Sequence, residues 1–229
     1  MGLIFENELY DMTKVAMENL RDESQIPITY HGNHIFEEVP YDGYRTDLVT
    51  TYTVDDKIDE RSEIFGDITP IPPKRKFIRS YNKIRDKGPM TRNYWINEDS
   101  TYRTEQICRE VWDWFNENGY LFDSGDGKMI YPYQDVLMVN AFELKQKDWQ
   151  KAIKQAERAK MYADYRWVVM DEGYIENVAK NTFEGYGVGL MSLNREEVTI
   201  HVYPDKCDTT ITQTRQYLNE KTLKRKYLE

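Results

Sequence analysis

The sequence predicts an α/β fold with a partly parallel sheet. Three consecutive patterns in the middle of the chain carry this prediction: an alternating strand, an amphipathic helix and a short apolar strand. The first strand covers residues 141–145, and the helix has apolar residues at three- and four-residue steps between Trp149 and Ala163. The apolar run from Trp167 to Met170 follows. A strand, a crossover helix and a second strand form the unit of a parallel pair.

The first of these strands ends in two opposite charges. Side chains on a strand repeat every second residue, so Phe142 and Leu144 share one face while Glu143 and Lys145 share the other. A Glu-x-Lys pair at the end of a buried strand is unusual and indicates a functional site. The alternative is a surface ion pair on an edge strand.

Composition indicates a folded chain with a substantial core. The chain has 229 residues, of which 40% are hydrophobic and 14% aromatic, and this length allows one large domain or two small ones. The net charge of -9 and the pI of about 5.0 argue against a protein that coats nucleic acid non-specifically. Contact with nucleic acid must therefore come from a local basic patch.

Cysteines and hydropathy bear on the compartment. Cys108 and Cys207 lie far apart and match neither a disulfide framework nor a zinc-site spacing, which indicates a reducing environment. No apolar run is long enough to span a membrane. We therefore expect an intracellular, cytoplasmic protein with no membrane partner.

The N-terminal segment predicts a helix followed by a hairpin of strands. Residues 5–22 place apolar side chains on one helical face, and residues 35–39 and 46–54 predict two strands around a Pro-Tyr-Asp-Gly turn. His31 and His34 precede the hairpin. Two histidines alone are weak grounds for a metal site, and we interpret them as turn residues.

A separately folded insertion is expected after this hairpin. Roughly ninety residues separate the hairpin from the Glu-x-Lys strand, and unstructured loops of that length are rare in compact domains. We predict an inserted module at residues 57–134 within a nuclease-like core formed by residues 1–56 and 135–229. Three helical patterns and a hairpin around Asp-Ser-Gly-Asp-Gly make this insertion resemble a winged helix (a helix-turn-helix module).

A winged helix implies DNA contact through its third helix and its hairpin. The first helix of the insertion is also the most basic stretch of the chain. The DNA-binding candidates are Lys74, Arg75, Lys76, Arg79, Lys83, Arg92, Arg103, Gln106 and Arg109. Acidic residues along the third helix, such as Glu110 and Asp113, would repel phosphate, so a protein-contact or spacer module stays the alternative.

The central stretch resembles a known superfamily. The Glu-x-Lys strand leads to a helix with Gln155 followed by Ala156, then to Tyr-Ala-Asp and an apolar strand. Over about thirty residues this arrangement is similar to the PD-(D/E)XK nucleases, in particular to uncharacterised archaeal members. The resemblance implies a restriction-endonuclease-like mixed sheet flanked by helices.

The resemblance also implies a catalytic site. In the superfamily an aspartate faces the Glu-x-Lys pair across a hairpin, and Asp47 in Arg-x-Asp-Leu-Val matches that position. Asp47 and Glu143 would bind Mg²⁺ or Mn²⁺, which prefer oxygen ligands, and Lys145 would orient water or stabilise developing charge. Further candidates are Gln155 on the helix behind the sheet, Glu38 on the preceding strand and Glu8 on the first helix.

The acids also have ordinary explanations. Asp47 could cap a turn, and Glu8 could be a solvated charge at a helix start. We favour Asp47 as the catalytic acid because Asp is depleted at the start of apolar strands. Asp135 is the competitor, but residues 136–145 predict one continuous strand, on which positions eight apart lie about 26 Å from each other.

Two functions from different classes are expected to compete. The first is a metal-dependent DNA endonuclease with a winged-helix insertion. The alternative is a non-catalytic DNA-binding or regulatory protein on the same scaffold. The expected partners are DNA and a divalent metal, and a homodimer is left open.

Overall fold

The computed structural model describes residues 6–19, 32, 34–66, 69–100, 103–194 and 198–228. The chain divides into two compact units. The core unit comprises Met1–Thr53 with Leu137–Arg215, and the inserted unit comprises Val54–Val136 with Gln216–Glu229.

Two sheets hold the strands of the described residues. In chain order the strands are β1 His34–Tyr41, β2 Tyr44–Thr53, β3 Leu121–Asp123, β4 Lys128–Ile130, β5 Leu137–Lys145, β6 Tyr165–Asp171, β7 Gly189–Leu193 and β8 Val198–Val202.

Helices surround these sheets. In chain order they are α1 Glu6–Asn19, α2 Asp55–Phe65, α3 Arg75–Lys87, α4 Arg92–Ser100, α5 Glu105–Glu117, α6 Trp149–Ala156, α7 Lys180–Tyr186 and α8 Gln213–Tyr227. Two 3-10 helices, Glu157–Met161 and Glu172–Asn177, follow α6 and β6.

The core unit is built on a six-stranded mixed sheet in the order β1-β2-β5-β6-β7-β8. The pairs β5–β6 and β6–β7 are parallel, and the other three pairs are antiparallel. Because β5, α6 and β6 form a crossover between parallel strands, the predicted strand–helix–strand unit is confirmed. The prediction of an α/β fold with a mixed sheet flanked by helices is confirmed with it.

Apolar side chains cover both faces of this sheet. Leu9 and Met17 of α1 pack with Phe142, Trp167 and other residues on one face. On the opposite face, the buried side of α6 packs against β6, β7 and β8; the helix contributes Ala152, Ile153 and Ala156. Since Phe142 and Leu144 point to α1, the alternating Glu143 belongs to the face that α6 covers.

The inserted unit has its own hydrophobic core. Helices α3, α4 and α5 and the β3–β4 hairpin enclose a cluster that includes Trp95, Trp112, Phe115 and Tyr81. Backbone hydrogen bonds in both directions join Met90 to Lys128 beside the hairpin. The three predicted helices and the hairpin are therefore present in their predicted order.

The last helix differs from the predicted division of the chain. Residues 135–229 were all expected in the core, yet α8 from Gln216 onward belongs to the inserted unit. The reason is a buried ion pair: Glu220 of α8 accepts hydrogen bonds from Arg61 of α2 at 3.0 and 3.1 Å. Helix α2 itself was not predicted, because its sequence is mostly charged.

The N-terminal segment contains the predicted helix and hairpin. The predicted helix 5–22 is described over Glu6–Asn19, and the predicted hairpin corresponds to β1 and β2. His31 lies outside the described residues, while His34 begins β1. No helix within the described ranges is long and apolar enough to cross a membrane.

Candidate active site

Strand pairing brings two of the predicted acids together. Strands β2 and β5 are antiparallel, with Leu48 opposite Phe142, so the next step of the register sets Asp47 opposite Glu143. Directly opposed residues of an antiparallel pair have Cβ atoms roughly 5 Å apart. The two carboxyl groups interact, and Asp47 favours the protonated form of Glu143.

Glu143 is a buried acid whose pKa is strongly shifted by its surroundings. Its side chain is buried, with only 2% of the residue exposed. Burial, followed by the negative charge of Asp47, raises the pKa of Glu143 to about 8, and the positive charge of Lys145 acts in the opposite direction. The carboxyl oxygen Oε2 is buried and has no hydrogen-bond partner among the described residues. A buried polar atom without a hydrogen-bond partner destabilises the folded protein unless a ligand binds to it.

Asp47 is fixed to the backbone next to Glu143. Its Oδ2 atom accepts a hydrogen bond of 2.8 Å from the backbone N–H of Leu144. The same oxygen lies 3.8 Å from Nζ of Lys145. Lys145 in turn donates a 2.9 Å hydrogen bond to the carbonyl oxygen of Leu144. Two carboxyl groups and an ammonium group thus meet at the end of β5.

Helix α6 packs over the face of the sheet that carries Glu143. Asp148 caps its N-terminus, because the Asp148 side chain accepts a hydrogen bond of 3.0 Å from the backbone N–H of Lys151. The buried Oε1 atom of Gln155, like Oε2 of Glu143, lacks a hydrogen-bond partner in the described part of the chain. Gln155 is half-buried on the helix that packs on β5 and β6, which agrees with its expected place behind the sheet.

Two further residues of the site, Arg158 and Tyr44, were not predicted from the sequence. The Arg158 guanidinium lies 3.8 Å from the centre of the Tyr44 ring, and its charge favours the ionised form of Glu143. In the sequence, Arg158 continues the spacing of Lys151 and Lys154, although it lies in the 3-10 helix that follows α6. Tyr44 carried no signal, because an exposed tyrosine beside a turn is unremarkable in sequence.

The two weaker candidates, Glu38 and Glu8, have exposed side chains. Glu38 is exposed, has a positive φ of 44°, and forms an ion pair of 2.6 Å with Arg45. Glu8 is exposed on α1, and the next residue, Leu9, is the one that is buried. Asp135 is half-buried and precedes β5 in the inserted unit, so Asp47 and not Asp135 stands opposite Glu143.

The donor set fits a hard divalent cation. The described residues contain no group of three or more His, Cys, Asp or Glu side chains that could hold a metal ion. Mg²⁺ keeps several waters and is commonly bound by one or two carboxylates together with substrate phosphate. The paired carboxyls of Asp47 and Glu143, with the unpartnered Oε2 atom, meet that lower requirement.

The predicted DNA-binding side chains of the inserted unit are largely paired with acids. Lys76 bonds Glu110, Lys83 bonds Asp99, Arg92 bonds Asp113 through two hydrogen bonds, Arg103 lies 3.5 Å from Asp99, and Arg109 bonds Glu105. The exposed remainder is Lys74, Arg75, Arg79 and Gln106. These ion pairs reduce the positive charge that the unit presents to phosphate.

Comparisons with known proteins identify no family for the chain. The sequence matches no protein-family model and no curated protein. One solved structure with some likeness is a protein of unknown function from Silicibacter pomeroyi, at 12% identity and a TM-score of 0.29. The match covers 42% of this chain and 68% of the other. A likeness at this level carries no argument about fold or function.

Proposed function

We propose that the protein is a metal-dependent nuclease that hydrolyses phosphodiester bonds in DNA. The observation that carries the proposal is the buried Oε2 atom of Glu143, left without a hydrogen-bond partner among the described residues beside Asp47 and Lys145. Two acids and a lysine at a strand end are the groups that metal-assisted phosphoryl transfer requires. The sequence resemblance to PD-(D/E)XK nucleases supports the same function.

Asp47 and Glu143 are the residues that would hold Mg²⁺ or Mn²⁺. When bound, such an ion lowers the pKa of a coordinated water and neutralises charge on the phosphate. Ion binding requires the Glu143 carboxylate, so the proton on Glu143 must leave.

Lys145 supplies the positive charge at this strand end. Its Nζ atom is held by the carbonyl of Leu144 and by the nearby Asp47 carboxylate, and its side chain is only 15% exposed. A fixed ammonium group of this kind can stabilise the charge that builds on a phosphate oxygen. Gln155 presents a second unpartnered oxygen from α6 and is proposed to position the site.

The finer architecture is part of the proposal. The strand order of the core, with the Glu-x-Lys strand between β2 and β6, supports a restriction-endonuclease-like core. The order of α3, α4, α5 and the β3–β4 hairpin supports a winged-helix insertion.

The alternative is a non-catalytic DNA-binding or regulatory protein. One observation favours it: with a pKa of about 8, Glu143 keeps its proton at neutral pH in the metal-free protein. A protonated Glu143 carries no negative charge, so the site does not require a cation in that state.

Cleavage of supercoiled plasmid in Mg²⁺ and in Mn²⁺ separates the two functions. E143Q and K145A should each lose at least about 100-fold in rate, because each removes a group that acts on the transition state. E38Q is the matched control, since Glu38 is exposed and paired with Arg45, and it should keep wild-type activity. Circular dichroism should show that all three variants fold. Full activity in E143Q or K145A would contradict the proposed nuclease.

A further inference from the structure

Helix α6 and the residues at its two ends carry an unbroken basic stripe on the outer face. Lys147, Lys151, Lys154 and Arg158 follow one another at four-, three- and four-residue steps and are all exposed. Residues at these steps lie on the same side of a helix, which places Lys151 and Lys154 on one side of α6; Lys147 directly precedes the helix, and Arg158 lies in the 3-10 helix that follows it. The opposite side of α6 is apolar and buried in the core unit, so the stripe faces outward. These four residues form the α6 stripe.

The side chains of the α6 stripe are not held in ion pairs with acids of the described residues. Within the described ranges, no ion pair involves any of its four side chains, and the nearest acids in sequence are engaged elsewhere. Asp148 caps the helix through the N–H of Lys151, and Glu157 pairs with Arg166. The inserted unit behaves differently, because most of its basic side chains are bound to acids. The α6 stripe is thus a local concentration of exposed positive charge in a chain whose net charge is -9.

The α6 stripe ends at the candidate active site. Its last member, Arg158, lies against the Tyr44 ring at 3.8 Å and acts electrostatically on Glu143. Tyr44 begins β2, three residues before Asp47, and 51% of it is exposed. The surface next to the paired carboxyls therefore combines a fixed guanidinium with an accessible aromatic ring.

We propose that the α6 stripe binds the phosphate backbone of the nucleic acid that the Asp47–Glu143–Lys145 site cleaves. This inference rests on the proposed nuclease function and names its substrate-binding surface. From Lys151 to Arg158 the helix rises about 10 Å. That distance corresponds to about three phosphates along the axis of one strand. Tyr44 and Arg158 supply a platform on which a base beside the scissile phosphate stacks.

Acidic peptides and anionic membranes also bind basic stripes, but the surroundings favour nucleic acid. A membrane-binding helix needs an apolar face at the surface, whereas the apolar face of α6 is buried under the sheet. An acidic peptide gains nothing from ending at a phosphodiester-cleaving site. Regular charge spacing that ends beside the proposed cleavage site matches the phosphate backbone of DNA, and the exposed aromatic ring can stack on a base that is unpaired there.

The test compares two double variants of the complete protein. K151Q/K154Q removes the two central charges of the α6 stripe, and K180Q/K206Q removes two exposed charges elsewhere in the core unit. Binding of a fluorescein-labelled DNA duplex is measured in EDTA at increasing NaCl concentrations. The slope of log K against log salt should fall by about two in K151Q/K154Q, since each lost phosphate contact removes about one. K180Q/K206Q should keep the wild-type slope.

The outcomes separate the binding surface from the chemistry. An unchanged slope in K151Q/K154Q, or an equal loss in K180Q/K206Q, would overturn the proposed surface even if the wild type cleaves DNA. A specific loss in K151Q/K154Q supports the surface; if the wild type then fails to cleave plasmid with Mg²⁺ or Mn²⁺, the proposed nuclease function alone is overturned. Competition by poly-glutamate or phosphatidylserine vesicles as strong as competition by DNA would also overturn the surface.

Discussion

Glu143 makes the stability of the metal-free protein depend on pH. Its pKa rises from 4.5 to about 8 on folding, so between these values the folded protein binds more protons than the unfolded chain. The stabilisation is complete below pH 4.5 and is lost as pH rises through about 8. A shift of one pKa unit corresponds to about 1.4 kcal/mol, so the loss should amount to a few kcal/mol.

The measurement is urea unfolding in EDTA at pH 5.5 and at pH 8.5. Relative to E143Q, the wild type should lose a few kcal/mol of unfolding free energy between these two pH values. Adding Mg²⁺ at pH 8.5 should restore part of that loss, because the ion binds the carboxylate form. Parallel pH dependences for wild type and E143Q would show that Glu143 does not hold its proton in the folded protein.

The tryptophan ring on the neighbouring strand leaves no room for a side chain at position 189. It stands opposite Trp167, and a Cβ atom at position 189 would lie 2.2 Å from Cε3 of that indole. The indole itself is stacked on Phe142 with 8° between the ring planes, so it has little room to move. G189A should therefore destabilise the protein by about 1–3 kcal/mol.

Gly185 offers the matched control. A Cβ atom there meets nothing within 4 Å, and the residue lies inside α7. G185A should be neutral or should stabilise by up to about 1 kcal/mol. Thermal unfolding compares the two variants, and equal melting temperatures would contradict the close packing of Gly189 against Trp167.

At the residue scale, sequence analysis could assemble part of the candidate site. Glu143 and Lys145 stood out because two charges ended an apolar strand, and Asp47 followed from the family pattern. Arg158, Tyr44 and the ion pairs of the inserted unit depend on contacts between distant segments, which periodicity does not report. The DNA-binding candidates illustrate the difference: nothing in the sequence pairs Arg92 with Asp113.

Among the elements, α8 depends on one buried ion pair. Glu220 is fully buried and receives hydrogen bonds from Arg61, from Tyr133 at 2.7 Å and from the N–H of Ile71 at 2.6 Å. E220A should destabilise the inserted unit by about 3–5 kcal/mol, because the Arg61 charge would stay buried without its partner. Tryptophan fluorescence reports this unfolding through Trp95 and its neighbours.

An exposed pair between the same two helices provides the control. Lys226 of α8 lies 4.0 Å from Asp55 of α2, and Asp55 is 91% exposed. K226A should cost less than about 1 kcal/mol. The double replacement R61M/E220L should cost less than E220A, since it leaves no unpaired charge. A cost for E220A as small as that for K226A would contradict the buried pair.

Helices α2 and α8 also show where prediction from pattern ends. The residues that α8 buries include Gln216, Asn219 and Glu220, so its apolar periodicity is weak. A helix that packs through polar groups resembles a solvated helix in sequence. Strands β5 and β6 and helix α6 were predictable because their buried faces are apolar.

Over the whole molecule, charge is divided unevenly. The net charge of -9 argues against non-specific coating of nucleic acid, so any DNA contact needs a local basic patch. The structure shows basic residues of the inserted unit held in ion pairs and, among the described residues, those of the α6 stripe exposed without them. The division into a core and an insertion followed from loop length and element order. The transfer of α8 to the inserted unit could not follow, because the Arg61–Glu220 pair joins residues far apart in sequence.

The pairing of Thr53 with Leu137 has a consequence for the modularity of the chain. These residues stand opposite each other at the ends of β2 and β5, so the chain leaves the sheet and returns to it at one rung of the ladder. A hydrogen bond of 2.8 Å from Val54 to Val136 continues that rung. Residues 54–136 therefore take the place of a hairpin turn between β2 and β5. The entropic cost of closing such a loop grows only slowly with its length. A foreign domain with adjacent termini could be grafted at this position without shifting the strands, whereas the same graft in the β6–β7 connection would have to preserve a parallel crossover.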